Sequence, residues 1–106
     1  MRHLKTNDHE LVLPRIGLGC RSMADDISDR ESLDVSLDTI DMAIANGVNY
    51  LNTADFYNHG ANEMLIREAL KRHSRSDLFL SVKFGGMIDS KGMYYGIDVR
   101  PEAVEN

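Results

Sequence analysis

The chain has 106 residues, of which 42% are hydrophobic and 27% are charged, and its formal net charge at pH 7 is −5. This composition is typical of soluble globular proteins and excludes a disordered, collagen-like or disulfide-stabilised chain. The single cysteine, Cys20, has no partner within the chain, and the first ten residues lack the apolar core of a signal peptide, so we expect a cytoplasmic protein. No apolar run approaches the roughly 18 to 20 residues that cross a bilayer, and a net negative chain offers no phosphate-binding face. Neither a membrane nor a nucleic acid is therefore expected as a partner.

The chain begins with two short β-segments. Residues 2–13 are predicted to form a small β-hairpin, and residues 15–20, beyond the interruption at Pro14, form a separate strand. The glycines that end this strand would suit a dinucleotide fingerprint, G-x-G-x-x-G, only with a third glycine where Ser22 stands. A plain strand-ending turn is therefore the preferred interpretation.

An amphipathic helix is predicted within residues 28–47. Ser28 and Glu31 are three positions apart and can form a capping box at its start, and Gly47 can end it. Apolar side chains recur at helical spacing between these signals, at Leu33, Leu37, Ile40 and Ile44.

The second half of the chain repeats the alternation of strand and helix. A strand is predicted at 48–54, a helix at 61–73 and a near-continuously apolar strand at 78–84, which is typical of a strand covered on both faces. The glycine-rich segment 85–98 is predicted to be loop, and Pro101 begins one more helix. The predicted inward-facing residues of the second helix are Met64, Leu65 and Leu70.

This order of elements predicts an α/β protein with a parallel sheet, because parallel strands need helical crossovers between them. Two architectures remain open at this point, an open doubly wound sheet and a (β/α)8 barrel. In both, ligands bind beyond the carboxyl ends of the strands.

Polar side chains with useful chemistry lie at those strand ends. By strand parity Asn52 lies near the end of one strand, and Lys83 occupies the matching place on the next, where a buried ammonium would need a partner. Tyr57 is a candidate partner, because a nearby lysine lowers the pKa of a phenol from about 10 and makes its hydroxyl a proton donor near neutral pH. Such a donor suits protonation of a carbonyl oxygen while hydride reaches its carbon. From spacing alone, an ordinary loop tyrosine and a solvent-directed lysine remain the alternative.

Three segments resemble the aldo-keto reductase family: 15–20, 43–70 and 78–86. The most specific part runs from Gly47 to Glu63, where the family typically has the pattern G-V-N-x-x-D-T-A-x-x-Y followed by N-E. The resemblance covers nearly the whole chain. It implies a (β/α)8 barrel that reduces aldehydes and ketones with NADPH.

The resemblance also implies how the chain is organised. Residues 1–106 would be a single partial domain, with the hairpin at 2–13 capping the bottom of the barrel and about three βα units in 15–106. Since a complete barrel needs about 250 residues, we expect this chain to be a fragment of its amino-terminal part. By itself the chain is expected neither to turn over substrate nor to bind NADPH.

The resemblance assigns catalytic roles to three residues. The proton-donating tyrosine of the family falls on Tyr57, and the lysine that lowers its pKa falls on Lys83. The aspartate that pairs with this lysine and touches the nicotinamide ribose falls on Asn52, which can accept a hydrogen bond but brings no charge. Asp55 is not a substitute, because its position is commonly acidic in the family in addition to that aspartate.

Contacts to the nicotinamide side of the cofactor fall on Cys20 and Arg21. The fourth catalytic residue of the family, a histidine on a later strand, falls beyond Asn106, and no histidine of this chain replaces it. His59 is either a solvated loop residue or part of the substrate mouth. The segment 85–98 offers further side chains that could either contact an apolar substrate or pack over the barrel rim, namely Met87, Met93, Tyr94 and Tyr95. No metal site is predicted.

The predicted function is thus that of a fragment of an NADPH-dependent reductase acting on a small carbonyl compound. Two alternatives remain: a nicotinamide-binding regulatory subunit without catalysis, which the neutral Asn52 would suit, and an inactive remnant. The sequence defines neither the substrate nor the oligomeric state.

Overall fold

The computed structural model describes residues 3–5, 12–23 and 27–105. It contains seven strands and three helices within these ranges. The strands are β1 (His3–Lys5), β2 (Val12–Pro14), β3 (Leu18–Gly19), β4 (Tyr50–Ala54), β5 (Phe79–Lys83), β6 (Gly86–Ile88) and β7 (Tyr94–Ile97), and the helices are α1 (Arg30–Ala45), α2 (Ala61–Leu70) and α3 (Pro101–Val104). No helix in the described ranges is both long and apolar enough to span a membrane.

Three strands form a parallel sheet in the order β3-β4-β5, with α1 and α2 as the connections between them. Leu18 pairs with Leu51, and Asn52 pairs with Ser81 on the other side. The predicted alternation of strand and helix is confirmed. The predicted hairpin is also present, as an antiparallel pair of β1 and β2 in which Pro14 is the last paired residue, and β3 follows as a separate strand, as predicted.

Helix α1 begins one residue later than the capping box predicts. Asp29 is the N-cap, and its carboxylate accepts a hydrogen bond from the Glu31 amide at 3.3 Å, so the Ser28 cap is wrong. An aspartate is as good a cap as a serine and adds negative charge at the positive end of the helix dipole. The helix ends at Ala45, and Gly47, the predicted stop, follows the C-cap Asn46 with a φ of 85°.

Helix α2 ends at Leu70, three residues before the predicted end. Its buried face repeats at intervals of three and four residues. The members of this face are Asn62, Leu65, Ile66 and Ala69. Met64 lies off this face and is 42% exposed, so its predicted inward position is wrong.

The hydrophobic core lies between the helices and one face of the parallel sheet. Leu51 on β4, Ile40 on α1 and Leu65 on α2 are each fully buried there. The opposite face of the sheet carries alternate strand residues, including Asn52, Ser81 and Lys83. The apolar sequence of β5 predicted a strand covered on both faces, and this is wrong, because Lys83 on the opposite face is exposed.

The segment after β5 is a hairpin, where the sequence predicted loop. Strands β6 and β7 pair antiparallel across a turn that Asp89 stabilises. The Asp89 carboxylate accepts hydrogen bonds from the Lys91 amide at 2.8 Å and the Met93 amide at 2.9 Å, and Gly92 adopts a φ of 79° within the turn. The hairpin places Ile88 and Tyr94 at the carboxyl ends of the parallel strands, beside Tyr57.

Candidate active site

The register of the parallel sheet brings the predicted polar residues together. Asn52 on β4 lies opposite Ser81 on β5, and Ala54 lies opposite Lys83. Since alternate residues point to the same face, Asn52, Ser81 and Lys83 all project on the face that the helices leave uncovered. This face, at the carboxyl ends of the strands, carries the candidate site.

Lys83 makes three contacts there, all with neutral groups. Its ammonium donates hydrogen bonds to the side-chain oxygen of Asn52 and to the Thr53 carbonyl oxygen, the latter at 3.3 Å. The ammonium also lies 4.8 Å from the centroid of the Tyr57 ring, over its face, which is a cation–π contact. The two residues are therefore in contact through the face of the phenol ring, and the described residues show no hydrogen bond between the Lys83 ammonium and the Tyr57 hydroxyl, so the role predicted for this pair stays a prediction.

The sequence predicted that Lys83 is a buried ammonium, and this is wrong. Lys83 is exposed, because it ends β5 at the edge of the described sheet and the described residues place no further element over it. Its direction is instead set by hydrogen bonds. The Asn52 amide nitrogen donates to the Ser81 hydroxyl at 2.9 Å, which turns the amide oxygen of Asn52 towards the ammonium.

Tyr57 lies on a tight turn between β4 and α2. The Asp55 amide donates to the Lys83 carbonyl at 3.0 Å, which ties the start of this turn to β5. Asn58 and His59 then adopt φ values of 49° and 54°, in the left-handed region that non-glycine residues rarely occupy. The Phe56 ring contacts the Tyr57 ring edge to face, with centroids 5.2 Å apart. Tyr57 is therefore held from two sides, by Phe56 and by Lys83.

His59 links this turn to the β6–β7 hairpin. Its Nε2–H donates to the Asp89 carbonyl at 2.9 Å. His59 is exposed and does not line the cleft described below, in agreement with the prediction of a solvated loop residue. His73 lies on the far side of α2, where it bonds to Asp41 of α1 at 2.6 Å. Neither histidine contacts Tyr57 or Lys83 within the described part of the chain.

An open cleft of about 880 Å³ borders Tyr57. Its wall combines the turn after β3, the turn after β4 and the hairpin. The lining residues are Arg21, Ser22, Phe56, Tyr57, Asn58, Ile88, Gly92 and Tyr94. Of the four hairpin side chains predicted as a pocket wall, only Tyr94 lines this cleft.

The two predicted cofactor contacts on the first turn have different surroundings. Arg21 is exposed on the cleft wall, whereas Cys20 is 0% exposed and packs in the hydrophobic core. The Cys20 side chain is therefore not exposed to the cleft, and the predicted cofactor contact at this position stays a prediction. Burial raises the pKa of the Cys20 thiol to about 11, although a hydrogen bond with the Asn52 backbone and the charge of Lys83 act in the opposite direction.

Asn62 is a residue that the sequence interpretation missed. It is fully buried on α2, and its side-chain oxygen accepts a hydrogen bond from the Thr53 hydroxyl at 2.6 Å. Its amide nitrogen donates to the Cys20 carbonyl at 2.6 Å and to the Met23 carbonyl at 3.2 Å. A polar residue at a core position of the helical repeat was the available signal, since buried polar groups need partners.

Comparison with known proteins agrees with this geometry. The family model of the aldo/keto reductase family matches residues 15–103, and the chain belongs to this family. The chain is 35% identical over 97 residues to the uncharacterized oxidoreductase YqkF of Bacillus subtilis and 29% identical over 97 residues to the NADH-specific methylglyoxal reductase of Escherichia coli. Both matches cover 90% of this chain.

A solved structure supports the same assignment. The aldo-keto reductase AKR11C1 from Bacillus halodurans superimposes with a TM-score of 0.73 and 30% identity over 92% of this chain. The predicted fold class, part of a (β/α)8 barrel, is confirmed. The alternative architecture, an open doubly wound sheet, is wrong. The chain spans 29% of the length of YqkF and 30% of the length of the Bacillus halodurans enzyme.

Proposed function

We propose that the protein containing this chain reduces an aldehyde or ketone to an alcohol, with Tyr57 as the proton donor. The observation that supports this most directly is the contact between the Lys83 ammonium and the Tyr57 ring, beside an open cleft at the carboxyl ends of parallel strands. Membership of the aldo/keto reductase family supports the reaction class.

Tyr57 donates its hydroxyl proton to the carbonyl oxygen of the substrate. The Lys83 ammonium lies over the face of the same ring, and its positive charge would stabilise the negative charge that remains on the phenolate. Asn52 and the Thr53 carbonyl hold the ammonium in place, so that little reorganisation accompanies proton transfer. Phe56 fixes the tilt of the Tyr57 ring through its edge-to-face contact.

The residues of the cleft fit a nicotinamide ring. A volume of about 880 Å³ lies within the range of about 300 to 1,000 Å³ of small-molecule sites, and the wall combines the aromatic surfaces of Tyr57 and Tyr94 with polar groups of Arg21 and Asn58. Nicotinamide cofactors supply the hydride in this reaction class. We propose that Arg21 and Asn52 lie nearest to the cofactor and that the cofactor is NADPH. The Escherichia coli relative is NADH-specific, so both cofactors belong in the assay.

Replacing Tyr57 with phenylalanine tests this function. In the gene product that contains the chain, we expect Tyr57→Phe to lower kcat/KM for a small aromatic aldehyde by about 100-fold to 10,000-fold, the typical contribution of a positioned acid. Cofactor binding should stay within about threefold, because the removed hydroxyl belongs to the proton-transfer step.

Tyr95→Phe is the matched control. Tyr95 is an exposed tyrosine of the β6–β7 hairpin that does not line the cleft, so this variant should keep wild-type activity. The proposal is wrong if Tyr57→Phe retains most of the aldehyde-dependent oxidation of NADPH or NADH.

The neutral Asn52 favours a second candidate function. Among the described residues Lys83 donates hydrogen bonds to uncharged oxygens only. The alternatives are therefore a nicotinamide-binding subunit with weak or absent catalysis and an inactive remnant. If the gene product binds NADPH but no aldehyde tested causes it to oxidise the bound NADPH, this would support the regulatory subunit. A gene product that binds neither cofactor would support the remnant. In each case we propose a reducing, cytoplasmic location, where the free thiol of Cys20 persists.

A further inference from the structure

One charged side chain lines the cleft, and its charge is positive. Among its described lining residues, Arg21 alone carries a formal charge at pH 7, and its guanidinium is exposed to the cleft. The other lining residues offer hydroxyl, amide and aromatic groups. A guanidinium on an otherwise neutral wall is a ready partner for an anion, because its donors match a carboxylate in a bidentate arrangement.

A second positive charge lies behind the same wall. The Lys83 ammonium contacts the ring of Tyr57, which itself lines the cleft, and its hydrogen-bond acceptors among the described residues, the Asn52 side chain and the Thr53 carbonyl, are neutral. No acidic side chain in the described residues forms an ion pair with Lys83. The field of both cations therefore favours a negatively charged ligand in the cleft.

The turn that carries Arg21 is held at both ends. The Asn62 amide nitrogen donates to the carbonyl before Arg21, that of Cys20, and to the Met23 carbonyl two residues after it. The Met23 amide closes the turn on the Cys20 carbonyl at 3.0 Å. A buried side chain thus fixes the backbone on either side of Arg21, which reduces the entropy lost when the guanidinium binds an anion.

We propose that Arg21 selects a carbonyl substrate that carries a carboxylate, such as a 2-oxo acid or a carboxylated aldehyde. This inference rests on the proposed carbonyl reduction and names its substrate class. A charged cofactor phosphate shares the same chemistry, and the experiment below separates the two sources of the anion.

The test compares two aldehydes of nearly equal shape, 4-carboxybenzaldehyde and its neutral counterpart 4-formylbenzamide. A charge-assisted contact predicts that the wild-type gene product prefers the carboxylate in kcat/KM by about tenfold to a hundredfold. Arg21→Gln should bring this ratio close to one, chiefly through KM for the carboxylate. Arg30→Gln removes an exposed arginine of α1 outside the cleft and should leave the ratio unchanged.

Each other outcome decides against a specific claim. Equal use of both aldehydes by the wild type overturns the substrate class while carbonyl reduction stands. The proposed substrate class is also overturned if Arg21→Gln keeps the preference in kcat/KM for the carboxylate but raises KM for the cofactor. That result would assign the anion contact of Arg21 to the cofactor.

A binding measurement covers the case in which neither aldehyde is reduced and the proposed function fails. Calorimetry with 4-(hydroxymethyl)benzoate and 4-(hydroxymethyl)benzamide needs no turnover. If the wild type binds the benzoate more tightly than the benzamide, and Arg21→Gln abolishes this difference, the role of Arg21 is supported. Equal binding of the two compounds by the wild type overturns it.

Discussion

Lys83 shows how single residues define this site. Its ammonium is exposed, yet three neutral neighbours set its position: the amide of Asn52, the carbonyl of Thr53 and the ring of Tyr57. An aspartate at position 52 would cancel most of its charge at close range. Asparagine keeps the hydrogen bond and leaves the charge available to groups in the cleft, which links the proton donor to the proposed preference for an anionic substrate.

Cys20 predicts a loss of stability at alkaline pH. Burial raises the pKa of its thiol from an ordinary value of 9.0 to about 11, so the folded state favours the neutral thiol. This contribution is fully present below about pH 9 and declines as the pH rises towards 11, because the unfolded chain releases the proton first.

Urea denaturation at several pH values measures this effect against Cys20→Ala, which has no thiol to ionise. The stability advantage of the wild type over Cys20→Ala should shrink between pH 9 and 11. An advantage that stays constant across this interval would contradict the assignment of a buried, protonated thiol.

At the scale of elements, Asn62 joins α2 to β4 and to the turn after β3. Replacing it with alanine leaves the Thr53 hydroxyl and the Cys20 carbonyl without their buried partner, so we expect Asn62→Ala to lower the free energy of unfolding by about 2 to 4 kcal/mol. Chemical denaturation measures this loss.

Asn46→Ala is the matched control for Asn62→Ala. Its side-chain amide donates to the Met42 carbonyl at an exposed helix end, so its loss should lower stability by less than about 1 kcal/mol. Similar losses in both variants would show that Asn62 does not join these elements as described.

The elements that could be predicted were those with a long hydrophobic repeat. Helix α1 has apolar residues over four turns, and β4 has a clear alternation, so both were found from the sequence. The β6–β7 hairpin was missed because its strands have three and four residues and its glycines suggest loop. Its fixed turn depends on Asp89, whose role needs the surrounding backbone to be seen.

The residues of the candidate site also divide into those that the sequence could predict and those that it could not. Strand parity placed Asn52 and Lys83 on one face, and the turn after β4 placed Tyr57 beside them. For Cys20 and Arg21, adjacent on one turn, sequence position alone could not show which side chain enters the core and which faces the cleft. The hydrogen bonds from Asn62 to the carbonyls of Met23 and Cys20 join residues that are 39 and 42 positions apart in the sequence, and no local pattern reveals such contacts.

At the scale of the whole molecule, the described sheet leaves apolar side chains open. Phe84 is 58% exposed and Val99 is 61% exposed beyond the end of β5. The Cα radius of gyration is 15.0 Å, larger than the roughly 13 Å of a compact domain of this length. These features agree with a chain that spans about three tenths of its barrel-forming relatives.

The central claim is that Lys83 acts through Tyr57, and a double-mutant cycle on the gene product tests it most directly. The measured quantity is kcat/KM for 4-formylbenzamide in the wild type, Tyr57→Phe, Lys83→Met and the double variant. If the two residues act as one unit, the double variant should lie within about threefold of Tyr57→Phe, since no phenol remains for the lysine to assist. If the fold losses in kcat/KM of the two single variants multiply in the double variant, Lys83 does not act through Tyr57.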